Sequence, residues 1–217
     1  MHSGPDRIFS FKVTENKWCE RAKSANDTAG SCSTAVVVKG SQVYCGNAGD
    51  SKALLFQINE THGVNPVELN ERHGTNLKSE RKRILAAGGK IAPDGSVYGV
   101  LFPSRGFGDI DVKADGKPVV ICTPNGAGID DWQPHRLEHS EATWLVVASD
   151  GLWDFVVDDQ VMSIVAKNQH LDHSAIAKKL IDEARLCGSE DDITIIVVRY
   201  DFAIPQNSCG VANSPCA

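Results

Sequence analysis

The sequence predicts an α+β domain with many antiparallel connections, and three observations point there. Three β-prone runs, 33–38, 42–47 and 52–58, follow one another with only short Gly-containing separators. Helical patterns come late and interleaved with strands, at 79–87, 158–168 and 174–187. A nearly unbroken apolar run, 143–149, and a Val- and Ile-rich run, 193–200, are too short for ordinary helices and fit buried strands. Strands grouped first, with helices interleaved late, suit an α+β domain better than a strict alternation of strand and helix.

Taken in order, residues 1–29 show no sustained period and are expected to be an irregular N-terminal segment, with the polar stretch 21–28 as a loop. The separators Lys39-Gly40-Ser41 and Ala48-Gly49-Asp50-Ser51 are expected to be tight turns, making the first three strands an antiparallel meander. In the helix at 79–87, Ser79 is placed to cap the N-terminus and Gly88-Gly89 to supply a left-handed stop. Short strands are expected near 90–92 and 96–99, joined by Pro93-Asp94-Gly95. The Gly-, Pro- and Asp-rich stretch of about 102–141 reads as an irregular surface excursion. Asp158 and Ser174 are placed to cap the two late helices. The second of these carries a stripe of Ile176, Leu180, Ile181, Ala184 and Leu186 and is stopped by Gly188. Residues 202–217 read as a disordered tail.

The chain has 217 residues, 41% hydrophobic and 23% charged, which suits one globular domain with a substantial core. A net charge of −6 without a dense basic run argues against nucleic acid or an anionic membrane as partner. Seven cysteines, an odd number without a CxxC pair, suit reduced thiols in the cytoplasm or nucleus. No apolar run is long enough to span a membrane, and residues 1–6 have neither the basic nor the apolar region of a signal peptide.

Carboxylates stand just before or after strands at Asp50, Asp109, Asp150, Asp154 and Asp191-Asp192. Rigid strand ends can hold such short side chains at a shared edge. Oxygen donors without His or Cys partners favour Mg²⁺ or Mn²⁺ over zinc, and such sites often serve phosphoryl chemistry. Each Asp also has an ordinary reading, because Asp is common in turns and at helix starts, where it satisfies local backbone donors. Spacing alone leaves both readings open.

Four segments occur in the order and approximate spacing of the motifs of type-2C (PPM) protein phosphatases: Gly46-Asn47-Ala48-Gly49-Asp50-Ser51-Lys52-Ala53, Ser104-Arg105-Gly106-Phe107-Gly108-Asp109, Ala148-Ser149-Asp150-Gly151-Leu152-Trp153-Asp154 and Ser189-Glu190-Asp191-Asp192-Ile193-Thr194. Ser31-Cys32-Ser33-Thr34-Ala35 and residues 80–89 agree more weakly, so the chain resembles that family over about 30–201. The resemblance implies an antiparallel β-sandwich flanked by helices, carrying two catalytic Mg²⁺ or Mn²⁺ ions and hydrolysing phosphoserine and phosphothreonine of phosphorylated protein substrates by attack of metal-bound water. It implies that Asp150 and Asp191 are ligands of the catalytic pair, and that Asp50 and Asp154, with Asp150, hold a weaker third ion. Gly49 and Gly151 would allow tight turns beside these ligands, Arg105 and Asp109 are expected to brace the segment leading into the flap rather than touch substrate, and Asp192, where many members have Asn, to support the site from behind. Trp153 is expected in the core. His73 matches a family histidine, but it stands between Arg72 and Gly74 where the family has Asp and Lys, and it is given no catalytic role.

The family's Asp-Gly-His-Gly-Gly motif, with its metal-bridging Asp, does not occur in these residues. The expectation is therefore an N-terminally truncated domain, with its first strands missing, that is a poor phosphatase as it stands. It would be a shortened form of an active enzyme, a natural fragment, or a catalytically inert binding or regulatory domain. The intact late carboxylates favour the first. The sequence names no regulatory partner.

Overall fold

The structure is a computed structural model that describes residues 4–59, 63–113, 117–126, 133–137 and 142–201. The tail expected at 202–217 lies outside the described residues, as do parts of the 102–141 stretch. In chain order the elements are α1 (Gly4–Ala25), β1 (Gly30–Ser31), β2 (Ser33–Lys39), β3 (Gln42–Ala48), β4 (Lys52–Asn59), β5 (Gly63–Glu68), α2 (Lys78–Ala86), β6 (Phe107–Gly108), β7 (His135–Arg136), β8 (Thr143–Ala148), α3 (Asp150–Trp153), α4 (Asp158–Lys167), α5 (His173–Leu186) and β9 (Ile195–Tyr200).

All pairings between these strands are antiparallel. They form a three-stranded sheet in the order β2-β3-β7 and a four-stranded sheet in the order β5-β4-β8-β9, with β1 and β6 paired apart. The fold is α+β, as the sequence predicts. Strand β4 shows why two layers form. Its Ala53 and Leu55 enter a core with Val43 and Cys45 of β3, while Leu54 and Phe56 enter a second core with Trp144, Val146 and the helices α3, α4 and α5. Alternate residues of a strand face opposite sides, so a strand apolar on both sides must be covered on both. Each such buried Leu or Phe contributes about 2 kcal/mol of hydrophobic stabilisation.

The meander expected over the first three long strands is not formed. Strand β3 pairs with β2 and β7, whereas β4 pairs with β5 and β8, so residues 49–51 carry the chain from one sheet to the other. A strand buried on both faces belongs in the middle of its own sheet, not at the end of a hairpin. Strand β5, absent from the sequence reading, contains Pro66 and lies at a sheet edge, where a missing N–H costs no ladder bond.

Residues 1–29, expected to be irregular, contain the 22-residue helix α1. Its inner face presents Phe11, whose ring stacks on Phe107 at 5.4 Å, and the fully buried Ala22. Between them on that face stands Glu15, which pairs with Lys113 at 2.7 Å and accepts from the Gly108 N–H at 3.0 Å. A charge within the buried face breaks the apolar period, so the helix escapes a hydrophobicity pattern.

Three capping assignments change. Helix α2 begins after Leu77 without a side-chain cap, and Ser79 lies in its first turn. Asp158 is the first residue of α4, after Val157, and its carboxylate goes to Lys52. Helix α5 is capped by Asp172, which accepts from the Ala175 N–H at 2.9 Å, so Ser174 is inside the helix. Asp172 stands three residues before that N–H, the spacing a cap requires. The expected stop of α2 is present, with Gly88 at φ 78° and N–H groups of Gly88 and Gly89 donating to the Leu85 and Ile84 carbonyls. The strands expected near 90–92 and 96–99 reduce to an isolated Ile91–Val97 bridge. The described parts of 102–141 are mostly irregular, but Val119, Val120 and Leu137 are buried core residues rather than surface.

Candidate metal centre

The register of the larger sheet brings the carboxylates together. Lys52 at the start of β4 pairs with Ala148 at the end of β8, which pairs with Ile195 at the start of β9. Asp50 precedes β4 by two residues, Asp150 follows β8 by two, and Asp191 precedes β9 by four. Antiparallel pairing therefore delivers all three to one end of the sheet. They line a single cleft of about 570 Å³ together with Cys32, Thr34 and Thr194.

Backbone N–H groups hold two of the three carboxylates. Asp150 Oδ1 accepts from the Gly151 N–H at 3.0 Å, and Asp191 Oδ1 accepts from the Asp192 N–H at 2.7 Å. The two loops are stitched to each other: Ser149 N–H donates to the Thr194 carbonyl at 3.1 Å, the Thr194 N–H donates to Ser149 Oγ at 3.1 Å, and Ser189 Oγ donates to the Gly151 carbonyl at 2.8 Å. Gly151 is packed so closely that a Cβ there would lie 2.8 Å from the Asp192 carbonyl oxygen. Gly49, at φ 136°, would place a Cβ 2.4 Å from the Cys32 side chain. The Gly49 turn is held from behind by His73, whose Nδ1 accepts the Gly49 N–H at 3.2 Å and whose own N–H donates to the Gly49 carbonyl at 2.9 Å.

The cleft is electrostatically negative. Burial, and then the charges of Asp50, Asp191 and Asp154, raise the Asp150 carboxyl above the usual range. Asp150 and its three carboxylate neighbours are an unbalanced set of hard oxygen donors that a divalent cation would balance. That donor chemistry fits Mg²⁺ or Mn²⁺. Among the described residues no group of three or more His, Cys, Asp or Glu side chains is closed around one point, so the carboxylates are an open set rather than a finished cage.

Asp154 stands apart from the other three. It caps the C-terminus of α3, is largely exposed, and its Oδ1 accepts from Arg72 Nη2 at 2.5 Å. Arg72 also donates from Nε to the Asp50 carbonyl at 2.5 Å. Arg105 points away from the cleft, to Glu80 at 2.6 Å and the Thr123 carbonyl at 2.9 Å. Glu80 is buried and also takes Arg83 and Ser104 at 2.7 Å each. Burial would raise its carboxyl, but these donors outweigh it and hold it at about 2. Asp109 sits at φ 49° with its carboxylate packed over Gly30, and Asp192 contributes backbone groups while its side chain is exposed. Trp153 is buried, its indole N–H donating to the Lys52 and Ala148 carbonyls.

Two neighbours of the site escaped the sequence reading. Cys32 Sγ–H donates to Asp50 Oδ1 at 3.3 Å, placing a thiol beside carboxylates expected to lack one; burial, then Asp50, pushes that thiol up to about 12. The signal was Cys32 standing just before Ser33-Thr34-Ala35. Nothing local to Arg72 in the sequence tells that it reaches Asp154, 82 positions away.

The family model for protein phosphatase 2C matches residues 8–193. The match thus includes most of α1, outside the span read from motifs. The chain is 34% identical to the Arabidopsis thaliana "Probable protein phosphatase 2C 76" over 88% of its length and 42% of that protein's. It is also 34% identical to the Oryza sativa "Probable protein phosphatase 2C 45", over 94% of its own length and 65% of the relative's. A rice relative whose name places it in mitochondria is again 34% identical, with 48% of its length covered. The chain therefore spans about half the length of these relatives. Among solved structures, a serine-threonine phosphatase 2C from Toxoplasma gondii superposes with a TM-score of 0.69 at 21% identity, over 87% of this chain and 64% of that one. A C. elegans sex determining protein superposes at 0.72 with 19% identity, over 87% and 44%. Both show likeness of fold.

Proposed function

The chain belongs to the protein phosphatase 2C family, and from that premise we propose that it serves a metal-dependent phosphatase acting on phosphoserine and phosphothreonine of proteins. The observation that carries this reading is the convergence of Asp50, Asp150 and Asp191 at one end of a rigid sheet, in one cleft. Bound there, Mg²⁺ or Mn²⁺ would neutralise phosphate charge and make water more acidic at neutral pH. Asp150 and Asp191 are the ligands of the catalytic pair, their carboxylates oriented by the neighbouring N–H groups. Asp50 supports a third, weaker ion with Asp150 and Asp154. Gly49 and Gly151 permit the close turns, and Arg105, Asp109 and Asp192 act on backbone position rather than on substrate. Val147, Ala148 and Ile196 add apolar lining to the cleft.

These 217 residues contain no Asp-Gly-His-Gly-Gly run, so they supply only part of the family's ligand set and are a poor catalyst by themselves. A reducing compartment, cytoplasm or nucleus, suits the five described cysteines, all of them free. The test is Mn²⁺-dependent hydrolysis of a phosphothreonine peptide by this chain and by the same chain joined to a family segment bearing Asp-Gly-His-Gly-Gly. Turnover only in the joined chain supports the reading. Brisk turnover by the short chain contradicts the partial ligand set, and silence in both favours a phosphatase-like binding domain.

A further inference from the structure

Arg72 lies in the irregular link between β5 and α2, yet its guanidinium reaches the carboxylate cluster. Nη2 donates to Asp154 Oδ1 and Nε donates to the backbone carbonyl of Asp50, both at 2.5 Å. Asp154 is four residues beyond Asp150, at the other end of the short helix α3, so the arginine clamps the outer end of the cluster to the turn that carries its next member. A guanidinium is always charged and binds carboxylate with directed hydrogen bonds. A divalent ion approaching the Asp154 end of the cluster meets a fixed positive charge and finds that carboxylate already engaged. Affinity for such ions rises with the number of free anionic ligands.

We propose that Arg72 is a resident counter-cation that competes with a divalent ion for Asp154 and so weakens the third-ion set of Asp50, Asp150 and Asp154. The inference rests on the reading of Asp50, Asp150 and Asp191 as metal ligands. Its sign separates it from a merely structural role. Arg72 also pins the Asp50 turn, and a residue that only braced the turn would weaken metal binding when removed.

The test is calorimetric titration of the 217-residue chain with Mn²⁺, as wild type, Arg72→Ala, Arg72→Gln, Asp154→Asn, the Arg72→Ala/Asp154→Asn double variant and Asp150→Asn. Thermal unfolding of each reports whether it folds, and Arg72→Gln keeps a hydrogen-bonding side chain without the charge should the alanine loosen the link. Both Arg72 variants are expected to bind Mn²⁺ about two- to fivefold more tightly, the range set by a partly exposed ion pair. The gain should vanish when Asp154→Asn is also present. Unchanged or weaker binding in both Arg72 variants, or a gain that survives Asp154→Asn, overturns the inference. Binding that Asp150→Asn leaves untouched contradicts the metal-site reading instead, and no binding by any of the chains contradicts both.

Discussion

The Gly49 N–H donates to Nδ1 of the fully buried His73 at 3.2 Å, so the ring that holds the Asp50 turn must present a bare nitrogen there. Burial, and then the Arg105 charge, lower the His73 pKa to about 4. In the unfolded chain it is near 6.5. The unfolded state therefore takes up the proton first as pH falls, and the stability contributed by neutral His73 is full above about 6.5 and lost down to about 4. We expect a loss on the order of 3 kcal/mol across that window. Urea unfolding at pH 7 and pH 5 should show a smaller pH effect in His73→Gln than in the wild type; equal slopes would refute the assignment.

Replacing Glu80 should be among the most damaging single changes in the chain. It is 1% exposed and pairs with both Arg83 and Arg105 while accepting from Ser104. Glu80→Gln leaves two guanidinium groups facing a neutral side chain, at a cost of about 3 kcal/mol. The melting temperature should fall by roughly 10 °C at this chain length, and a fall of under two degrees would show that the arginines find other partners.

Gly151→Ala is predicted to separate stability from metal binding. The added Cβ meets the Asp192 carbonyl oxygen at 2.8 Å and the Asp191 Cβ at 3.4 Å, so the loop that carries Asp191 must move away from Asp150. Overpacking of this kind costs about 1–3 kcal/mol. Mn²⁺ affinity should fall by more than about tenfold, because ligand spacing is disturbed directly. Calorimetry on a variant that still unfolds cooperatively checks this, and unaltered affinity would exclude Asp191 from the site.

The thiol of Cys32 should resist alkylation. Held near 12 by burial and Asp50, it carries almost no thiolate at pH 8, and thiolate is the reactive form. Peptide mapping after brief iodoacetamide treatment should find the exposed Cys187 labelled well before Cys32. Comparable labelling of the two would mean that Cys32 does not lie against Asp50.

The parts of this fold that were legible in the sequence are those where a local pattern and a tertiary role coincide. Runs such as 52–58 and 143–149 are apolar because they are buried, and the stop of α2 is written in Gly88-Gly89. Helix α1 was not legible because Glu15, in the middle of its inner face, is satisfied by Lys113 from 98 residues away. The sheet switch at Gly49 was not legible because a turn residue looks the same whether it joins two strands of one sheet or two sheets. For the site, motif order picked out Asp50, Asp150 and Asp191, which the structure brings to one cleft. It gave no hint that Arg72 would take Asp154, since that contact joins two distant loops.

Paramagnetic broadening tests most directly whether Asp50, Asp150 and Asp191 form the divalent-cation site proposed for this chain. In a titration of the ¹⁵N-labelled chain with Mn²⁺, the amide signals of residues 49–51, 150–151 and 191–192 should disappear first. Broadening centred instead on exposed carboxylates such as Asp94 or Asp172, with the cleft signals intact, would contradict this site.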